Sequence, residues 1–306
     1  MTPSLLSVTA FRLITAAVSL TVSAMAFAAD GDRTEQAGDI RVTLRGEGAP
    51  VLMIPGLSSD AAVWDDACAA LRQKKAVQCV IVQMPGFSKQ VPAEAFRQRF
   101  LSSSREQLTA YLQSRFPQGV TVAGHSLGGV IGLELAMQPQ SPVKALVVVD
   151  SLPFMGALQN PAATAESVRP QAEGMRQMMA SNRMPAEALR PQFQGMASGM
   201  VMTESRRPEV VQWMLDSDRP TSAQAMYELQ TTDLRADVAR IKVPVTVLGA
   251  WAAYKPMGAT LESTRAIYEG QYKALPQVKI RMSEKGFHFL PWDDTALVVD
   301  AMAEAI

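Results

Sequence analysis

The chain has 306 residues, of which 48% are hydrophobic and 19% are charged, and its formal net charge is zero. This composition is typical of a globular protein with a sizeable core and excludes a disordered or fibrous chain. The even charge balance offers neither a basic stripe for nucleic acid nor an acidic tail, so a small or uncharged substrate is expected.

The first 28 residues have the pattern of a secretory signal peptide. An apolar run over residues 13–22 follows Arg12, and residues 26–28 read Ala-Phe-Ala, a small-x-small cleavage pattern. The run is too short to span a membrane. We therefore predict that residues 1–28 are removed on export to the periplasm or the medium, which leaves a mature chain without a membrane span. An uncleaved N-terminal anchor is the alternative.

Apolar runs that alternate with helical patterns predict an α/β fold. Strands are expected at residues 38–44, 50–54, 77–82, 119–123 and 144–149, and helices at 61–72, 97–115 and 130–137. Asp60 is the expected N-cap of the first of these helices. Such alternation predicts a mostly parallel sheet with helices on both faces.

The two cysteines, Cys68 and Cys79, fall in the first predicted helix and at the start of the strand that follows it. Because the chain doubles back between these elements, an oxidising compartment would permit a disulfide. Two buried free cysteines are the alternative, since the sequence does not give the Cα separation that a bridge requires. Neither cysteine has the spacing of a metal ligand, so no metal site is expected.

Residues 122–129 read Val-Ala-Gly-His-Ser-Leu-Gly-Gly and match the pattern Gly-x-Ser-x-Gly, with Ser126 at its centre. Between a strand and a helix, this pattern forms a turn so tight that only small residues fit around the serine. The turn exposes the serine hydroxyl and places the N–H of Leu127 at a helix N-terminus, where an oxyanion can be held. The sequence therefore predicts a nucleophilic serine, and a chance match in a loop is the alternative.

Strand patterns stop between residues 153 and 232 and resume at 243–248 and 278–282. We therefore predict a core of residues 29–152 and 233–306, interrupted by a helical lid at 153–232. This segment holds ten of the eighteen methionines. Because methionine is flexible and polarizable, the segment is expected to form either an ordinary lid core or an adaptable apolar acyl pocket.

From about residue 39 to the end, the chain resembles the α/β-hydrolase superfamily, in particular its lidded single-chain members. The resemblance rests on Ile54-Pro55-Gly56-Leu57, Met84-Pro85-Gly86-Phe87, the serine motif, Val149-Asp150-Ser151-Leu152-Pro153 and Gly286-Phe287-His288-Phe289. Two departures stand out. The chain has Pro55-Gly56 where members commonly have His-Gly, and it has no acid after the strand at 243–248, where many members carry one.

The base and the acid of the site follow largely by elimination. Of the two histidines, His125 lies inside the serine motif and is expected to point away beneath the sheet, which leaves His288 as the base. Residues 238–261 contain no Asp or Glu, so Asp150 is the substitute acid. Alternatively, Asp150 only caps a strand, or the triad lacks an acid. Asp293 and Asp294 follow His288 too closely and are interpreted as a helix N-cap.

These residues predict an exported serine hydrolase that cleaves an ester or a related small acyl substrate through an acyl-enzyme at Ser126. The N–H groups of Leu57 and Leu127 are the expected oxyanion hole, and no cofactor is implied. A serine at this position argues against dehalogenase or epoxide-hydrolase chemistry. Acyl transfer, C–C bond hydrolysis and a catalytically inactive binding protein remain open.

Overall fold

Eight strands form one sheet in the computed structural model, which describes Met1 and residues 31–306. The strands are β1 (Arg33–Ala37), β2 (Ile40–Arg45), β3 (Ala49–Ile54), β4 (Val77–Gln83), β5 (Val120–His125), β6 (Val143–Val149), β7 (Val245–Gly249) and β8 (Val278–Met282). Their order in the sheet is β1-β2-β4-β3-β5-β6-β7-β8, and all strands from β3 onward run parallel to their neighbours in that set. Apart from Met1, the predicted signal peptide lies outside the described residues.

Helices cover both faces of this sheet. They are α1 (Asp65–Lys74), α2 (Glu94–Gln98), α3 (Phe100–Arg115), α4 (Leu127–Ala136), α5 (Ala165–Ser181), α6 (Arg190–Met200), α7 (Arg207–Asp216), α8 (Arg219–Thr231), α9 (Leu261–Gln271), α10 (Leu290–Asp293) and α11 (Thr295–Ala305). Within residues 31–306, no helix is both long and apolar enough to cross a membrane. The predicted α/β fold, with a mostly parallel sheet flanked by helices, is confirmed.

Successive side chains of each central strand enter two separate cores. In β3, Leu52 and Ile54 pack with α3 and α4, whereas Val51 and Met53 pack on the other face with α1 and α11. Because side chains of a strand alternate between faces, a strand that is buried on both faces reads as an unbroken apolar run. This is why the central strands were predictable from the sequence.

Three elements differ from the sequence prediction. The short strand β1 is absent from it, because only Ala37 of that strand is buried and the strand shows no apolar pattern. The helix after Asp60 begins as a 3₁₀ turn, although the Asp60 side chain does accept from the N–H of Ala62 at 2.9 Å. The long helix at 97–115 is divided into α2 and α3.

A carboxylate from outside the helix explains this division. Glu228 of α8 accepts from the N–H groups of Phe100 and Leu101, at 2.8 and 2.7 Å. These groups have no partner within α3, since the first N–H groups of any helix lie beyond the intrahelical ladder. A negative charge at this end is also favoured by the helix dipole. A separate helix, α3, therefore begins at Phe100.

The segment between β6 and β7 contains helices α5–α8, which we call the helical insertion (residues 153–232). It is held against the core by polar contacts. Arg97 of α2 donates twice to Asp218, with N···O distances of 2.9 and 2.7 Å, and the N–H of Asp218 donates to the carbonyl of Gly86 at 2.7 Å. The N-terminal end of α8 is thereby fixed beside the loop that follows β4.

A disulfide joins Cys68 of α1 to Cys79 of β4, with their Cα atoms 6.1 Å apart. Both residues are buried, and Cys79 lies in the strand that pairs with β3. The bridge fastens the first helix to the middle of the sheet across a short stretch of chain.

Replacing both cysteines with alanine is expected to lower the free energy of unfolding by about 3 kcal/mol, because a bridge of this loop length restricts the unfolded chain. Urea denaturation with and without dithiothreitol measures the effect. The double variant should not respond to the reductant. A wild-type protein that is equally unresponsive would show that the thiols are unpaired in solution.

Candidate active site

Ser126 lies in a strained turn between β5 and α4. Its backbone has φ 54° and ψ −120°, a region that residues other than glycine rarely occupy, and its N–H donates to the carbonyl of Val149 in β6 at 2.9 Å. Such strain costs of order 1–3 kcal/mol and persists only where the surroundings enforce it. Here the enforcement comes from the strand on one side and the helix on the other.

The glycines of the motif are required by close approaches of the backbone. A Cβ on Gly124 would lie 2.1 Å from the carbonyl oxygen of Gly128, and a Cβ on Gly128 would lie 2.2 Å from that of Ile54 in β3. Neither obstacle can move, since both are backbone atoms of buried elements. The turn therefore forms only with glycine at both positions, as the motif predicts.

His288 and Asp150 form a hydrogen-bonded pair. Nδ1 of His288 donates to Oδ2 of Asp150 at 2.6 Å, and the two side chains are 24% and 6% exposed. Asp150 directly follows β6, with φ 48°, and its N–H donates to the carbonyl of Leu248 in β7 at 2.7 Å. The sequence singled out both residues, and the structure brings them together.

The remaining carboxylate oxygen of Asp150 is also occupied. Oδ1 accepts from the N–H of Ala250 at 2.7 Å and from the hydroxyl of Tyr268 at 2.5 Å. Ala250 directly follows β7, where the sequence analysis found no acid. In place of a carboxylate, the end of this strand offers a backbone donor. Sequence analysis missed Tyr268, since a tyrosine in a helix pattern carries no signal of such a contact.

The loop that bears His288 is fixed by a second histidine. Nε2 of His125 donates to the backbone carbonyl of His288 at 2.9 Å, and the two rings have centroids 4.7 Å apart. The expectation that His125 points away beneath the sheet is thus wrong. Its ring also packs on Phe289, with centroids 5.0 Å apart.

His125 is held in its neutral form. Burial, followed by the neighbouring charge of His288, moves the pKa of His125 well below its ordinary value. Because Nε2 carries the proton that it donates to the backbone carbonyl of His288, Nδ1 bears a lone pair. This Nδ1 is buried without a hydrogen-bond partner among the described residues. A positive charge at this position would face the imidazole of His288 in a medium of low polarity.

Asp293 ties the same loop to the helical insertion. Its carboxylate accepts from the N–H of Phe287 at 3.1 Å and from the N–H groups of Met202 and Thr203, at 2.9 and 3.0 Å. The sequence interpretation of Asp293 as an N-cap is therefore wrong. Asp294 does occupy the N-cap position of α11, but its side chain makes no capping bond there.

The loop after β3 lies directly against Ser126. A Cβ on Gly56 would be 3.2 Å from the Cβ of Ser126, so the next peptide N–H, that of Leu57, lies near the serine. Within residues 31–306, neither the N–H of Leu57 nor that of Leu127 donates a hydrogen bond to another residue. Leu127 is the first residue of α4, where such a donor has no intrahelical partner and the helix dipole favours an anion.

The hydroxyl of Ser126 is also without a hydrogen bond to any residue that the structure describes. A bond from this hydroxyl to His288 is therefore not formed in this arrangement, and in unliganded enzymes such bonds are often long. Within the same residues, no group of three or more His, Cys, Asp or Glu side chains is arranged to hold a metal ion. The chemistry available is that of a serine, a carboxylate-bonded imidazole and two backbone donors.

Comparisons with known proteins point to one family. Residues 51–301 match the alpha/beta hydrolase family. The pimeloyl-[acyl-carrier protein] methyl ester esterase of Nitrosomonas europaea is 26% identical over 72% of this chain and 84% of its own length.

Two solved structures share the fold. The enol-lactonase of Burkholderia xenovorans has a TM-score of 0.63 at 13% identity and covers 89% of this chain and 99% of its own. An esterase of Exiguobacterium antarcticum has a TM-score of 0.68 at 16% identity, over 87% and 94%. At these identities the likeness shows the fold alone.

Replacing His125 with glutamine is expected to flatten the loss of stability in acid. The pKa of His125 is depressed in the folded chain, so below the ordinary value of 6.5 the unfolded chain binds one more proton. The free energy of unfolding should then fall by about 1.4 kcal/mol for each further pH unit, and this slope should vanish in the variant.

Urea denaturation of both proteins, at a series of pH values on either side of 6.5, measures the two slopes. Glutamine is the matched substitution, because its amide can still donate to the carbonyl of His288 and does not titrate. Equal slopes in the two proteins would contradict a buried neutral His125.

Proposed function

The chain belongs to the alpha/beta hydrolase family, and on that premise we propose that it is a serine hydrolase that cleaves an ester or a related acyl substrate. The observation that carries the proposal is the hydrogen bond of 2.6 Å between His288 and Asp150, beside the strained turn of Ser126. A nucleophile, a base and an acid that orients the base are the three parts that such an enzyme needs.

In the first half of the reaction, Oγ of Ser126 attacks the carbonyl carbon of the substrate. Its proton passes to Nε2 of His288, which is the free ring nitrogen because Nδ1 is bonded to Asp150. The carboxylate stabilises the imidazolium that forms. The N–H groups of Leu57 and Leu127 then donate to the oxygen of the tetrahedral intermediate.

To complete this half, Nε2 of His288 returns the proton to the leaving oxygen, and collapse of the tetrahedral intermediate expels an alcohol and forms the acyl-enzyme. In the second half, a water molecule gives a proton to His288 and attacks the acyl carbon. Collapse of the second intermediate releases the acid and restores the hydroxyl of Ser126. The proposal requires no cofactor and no metal ion.

An ester is the favoured substrate within this class. A curated relative is named as a methyl ester esterase, and two structures of the same fold are named as an esterase and an enol-lactonase. Met200 lies beside the catalytic loop, since its carbonyl accepts from the N–H of Phe289 at 3.1 Å. The helical insertion therefore borders the loop that carries His288, and we propose that it forms part of the acyl pocket.

Export is the second part of the proposal. It is supported by the leader pattern of residues 1–28 and by the bridge between Cys68 and Cys79, because disulfides persist in oxidising compartments.

A fluorophosphonate probe is expected to label the wild-type protein at one residue, and the replacement of Ser126 by alanine should abolish the labelling. The probe reacts only with a serine that an adjacent base activates. Intact-mass and peptide mass spectrometry locate the adduct. Ser198→Ala, which removes an exposed hydroxyl of α6, is the control and should be labelled like the wild type. A wild-type protein that stays unlabelled at every pH would refute the proposed serine hydrolase and favour a catalytically inactive binding protein.

Asp150→Asn is expected to lower kcat by about 10⁴, because an amide favours the wrong tautomer of the base. The turnover of a p-nitrophenyl ester measures the loss. Asp294→Asn is the matched control, since Asp294 is also an acid near His288 in the sequence, but among residues 31–306 its side chain bonds only to Ser283. Turnover by Asp150→Asn near that of the control would remove Asp150 from the reaction.

A further inference from the structure

We propose that Tyr268 is a positioning residue for Asp150, the triad acid that follows β6. Its hydroxyl holds the carboxylate in the orientation that His288 requires. The inference rests on the proposed function, since it assigns a role beside Asp150 and His288. The two oxygens of the Asp150 carboxylate have different partners. Oδ2 faces the imidazole at 2.6 Å, and Oδ1 faces the Tyr268 hydroxyl at 2.5 Å.

The ring of Tyr268 lies against the end of β7. It reaches this place from α9, and its side chain is buried. A Cβ on Gly249, the last residue of β7, would lie 2.7 Å from Sδ of Met282 and 2.9 Å from Cε2 of the Tyr268 ring. Gly249 has an ordinary negative φ, so the glycine is there for space and not for backbone freedom. The end of β7 thus leaves room for the ring of Tyr268 beside the side chain of Met282.

The tyrosine hydroxyl can hold Asp150 only while it keeps its proton. Burial, followed by the nearby charge of Asp150, moves the pKa of Tyr268 well above its ordinary value. The hydroxyl therefore donates throughout the pH range of the reaction. Together with the N–H of Ala250, it fixes the carboxylate plane so that Oδ2 points at His288. A side chain with this restraint loses little rotational freedom when the imidazolium forms.

The other titratable groups around the carboxylate do not compete for this role. Tyr254 and Tyr272 both feel the charge of Asp150, and burial raises the pKa of each, so both stay neutral. Burial lowers the pKa of His125, which therefore also stays neutral.

Tyr268→Phe is expected to lower kcat by about ten- to a hundredfold, with KM little changed, because the ring still fills its space but no longer orients the acid. The acidic limb of kcat/KM should also move upward, by about 0.5–1 pH unit. The direction of this pH shift follows from the loss of the hydrogen bond to Asp150. A carboxylate that loses a donor is a less stable anion, so the pair of Asp150 and His288 binds its proton more tightly.

Tyr272→Phe is the matched control. Tyr272 directly follows α9, is also buried, and donates its hydroxyl to the backbone carbonyl of Ser151 at 2.9 Å. Both variants lose one buried hydrogen bond and are expected to be destabilised to a similar extent. The control should keep the acidic limb at the pH of the wild type, since its lost bond did not involve the carboxylate.

The outcomes separate the inference from the function on which it rests. A shifted limb in Tyr268→Phe alone supports the positioning role. Equal pH profiles in the wild type and both variants, with the wild type active and labelled at Ser126, would overturn the inference and leave the hydrolase intact. An equal shift in both tyrosine variants would also overturn it, since the effect would then be one of stability. An inactive, unlabelled wild type would refute the hydrolase itself.

Discussion

Backbone hydrogen bonds at the carboxyl edge of the sheet set the distances on which the site depends. The residues that follow β5 and β6 each donate to the neighbouring strand, from Ser126 to Val149 at 2.9 Å and from Asp150 to Leu248 at 2.7 Å. Neighbouring strands are about 4.8 Å apart, so nucleophile and acid are held at that spacing before any side chain contributes. Only His288 must come from farther away, in the loop after β8, and it reaches Asp150 across the end of β7.

The donors at the end of β7 and in the loop after β8 offset the cost of burying the carboxylate of Asp150. Asp150 is 8% exposed, and a carboxylate removed from water is costly unless donors surround it. The end of β7 supplies a peptide N–H from Ala250 and room above Gly249 for the ring of Tyr268, and the loop after β8 supplies the imidazole. The acid thus follows β6, and the end of β7, which has no acid of its own, supplies donors that this carboxylate needs.

The parts of the site that the sequence could predict are those that local rules determine. The strained turn follows from glycines whose close contacts lie within the motif or on the adjacent strand. The choice of His288 needed only a count of histidines, and that of Asp150 needed only the lack of acids in residues 238–261. Central strands were predictable because burial on both faces leaves an unbroken apolar run.

The parts that escaped prediction involve polar partners far apart in the sequence. Glu228, which lies in α8 of the helical insertion, accepts from the first N–H of α3, and His125 donates to the backbone carbonyl of His288. Asp293 serves two segments at once, since it accepts from Phe287 in the catalytic loop and from Met202 at the end of α6. The hydrophobic periodicity of a sequence does not predict such contacts. The buried carboxylate of Asp293 thus accepts from both segments. If the insertion moved away from the catalytic loop, this carboxylate would lose hydrogen-bond donors at a cost in free energy. The position of the insertion and that of the loop with His288 are therefore coupled.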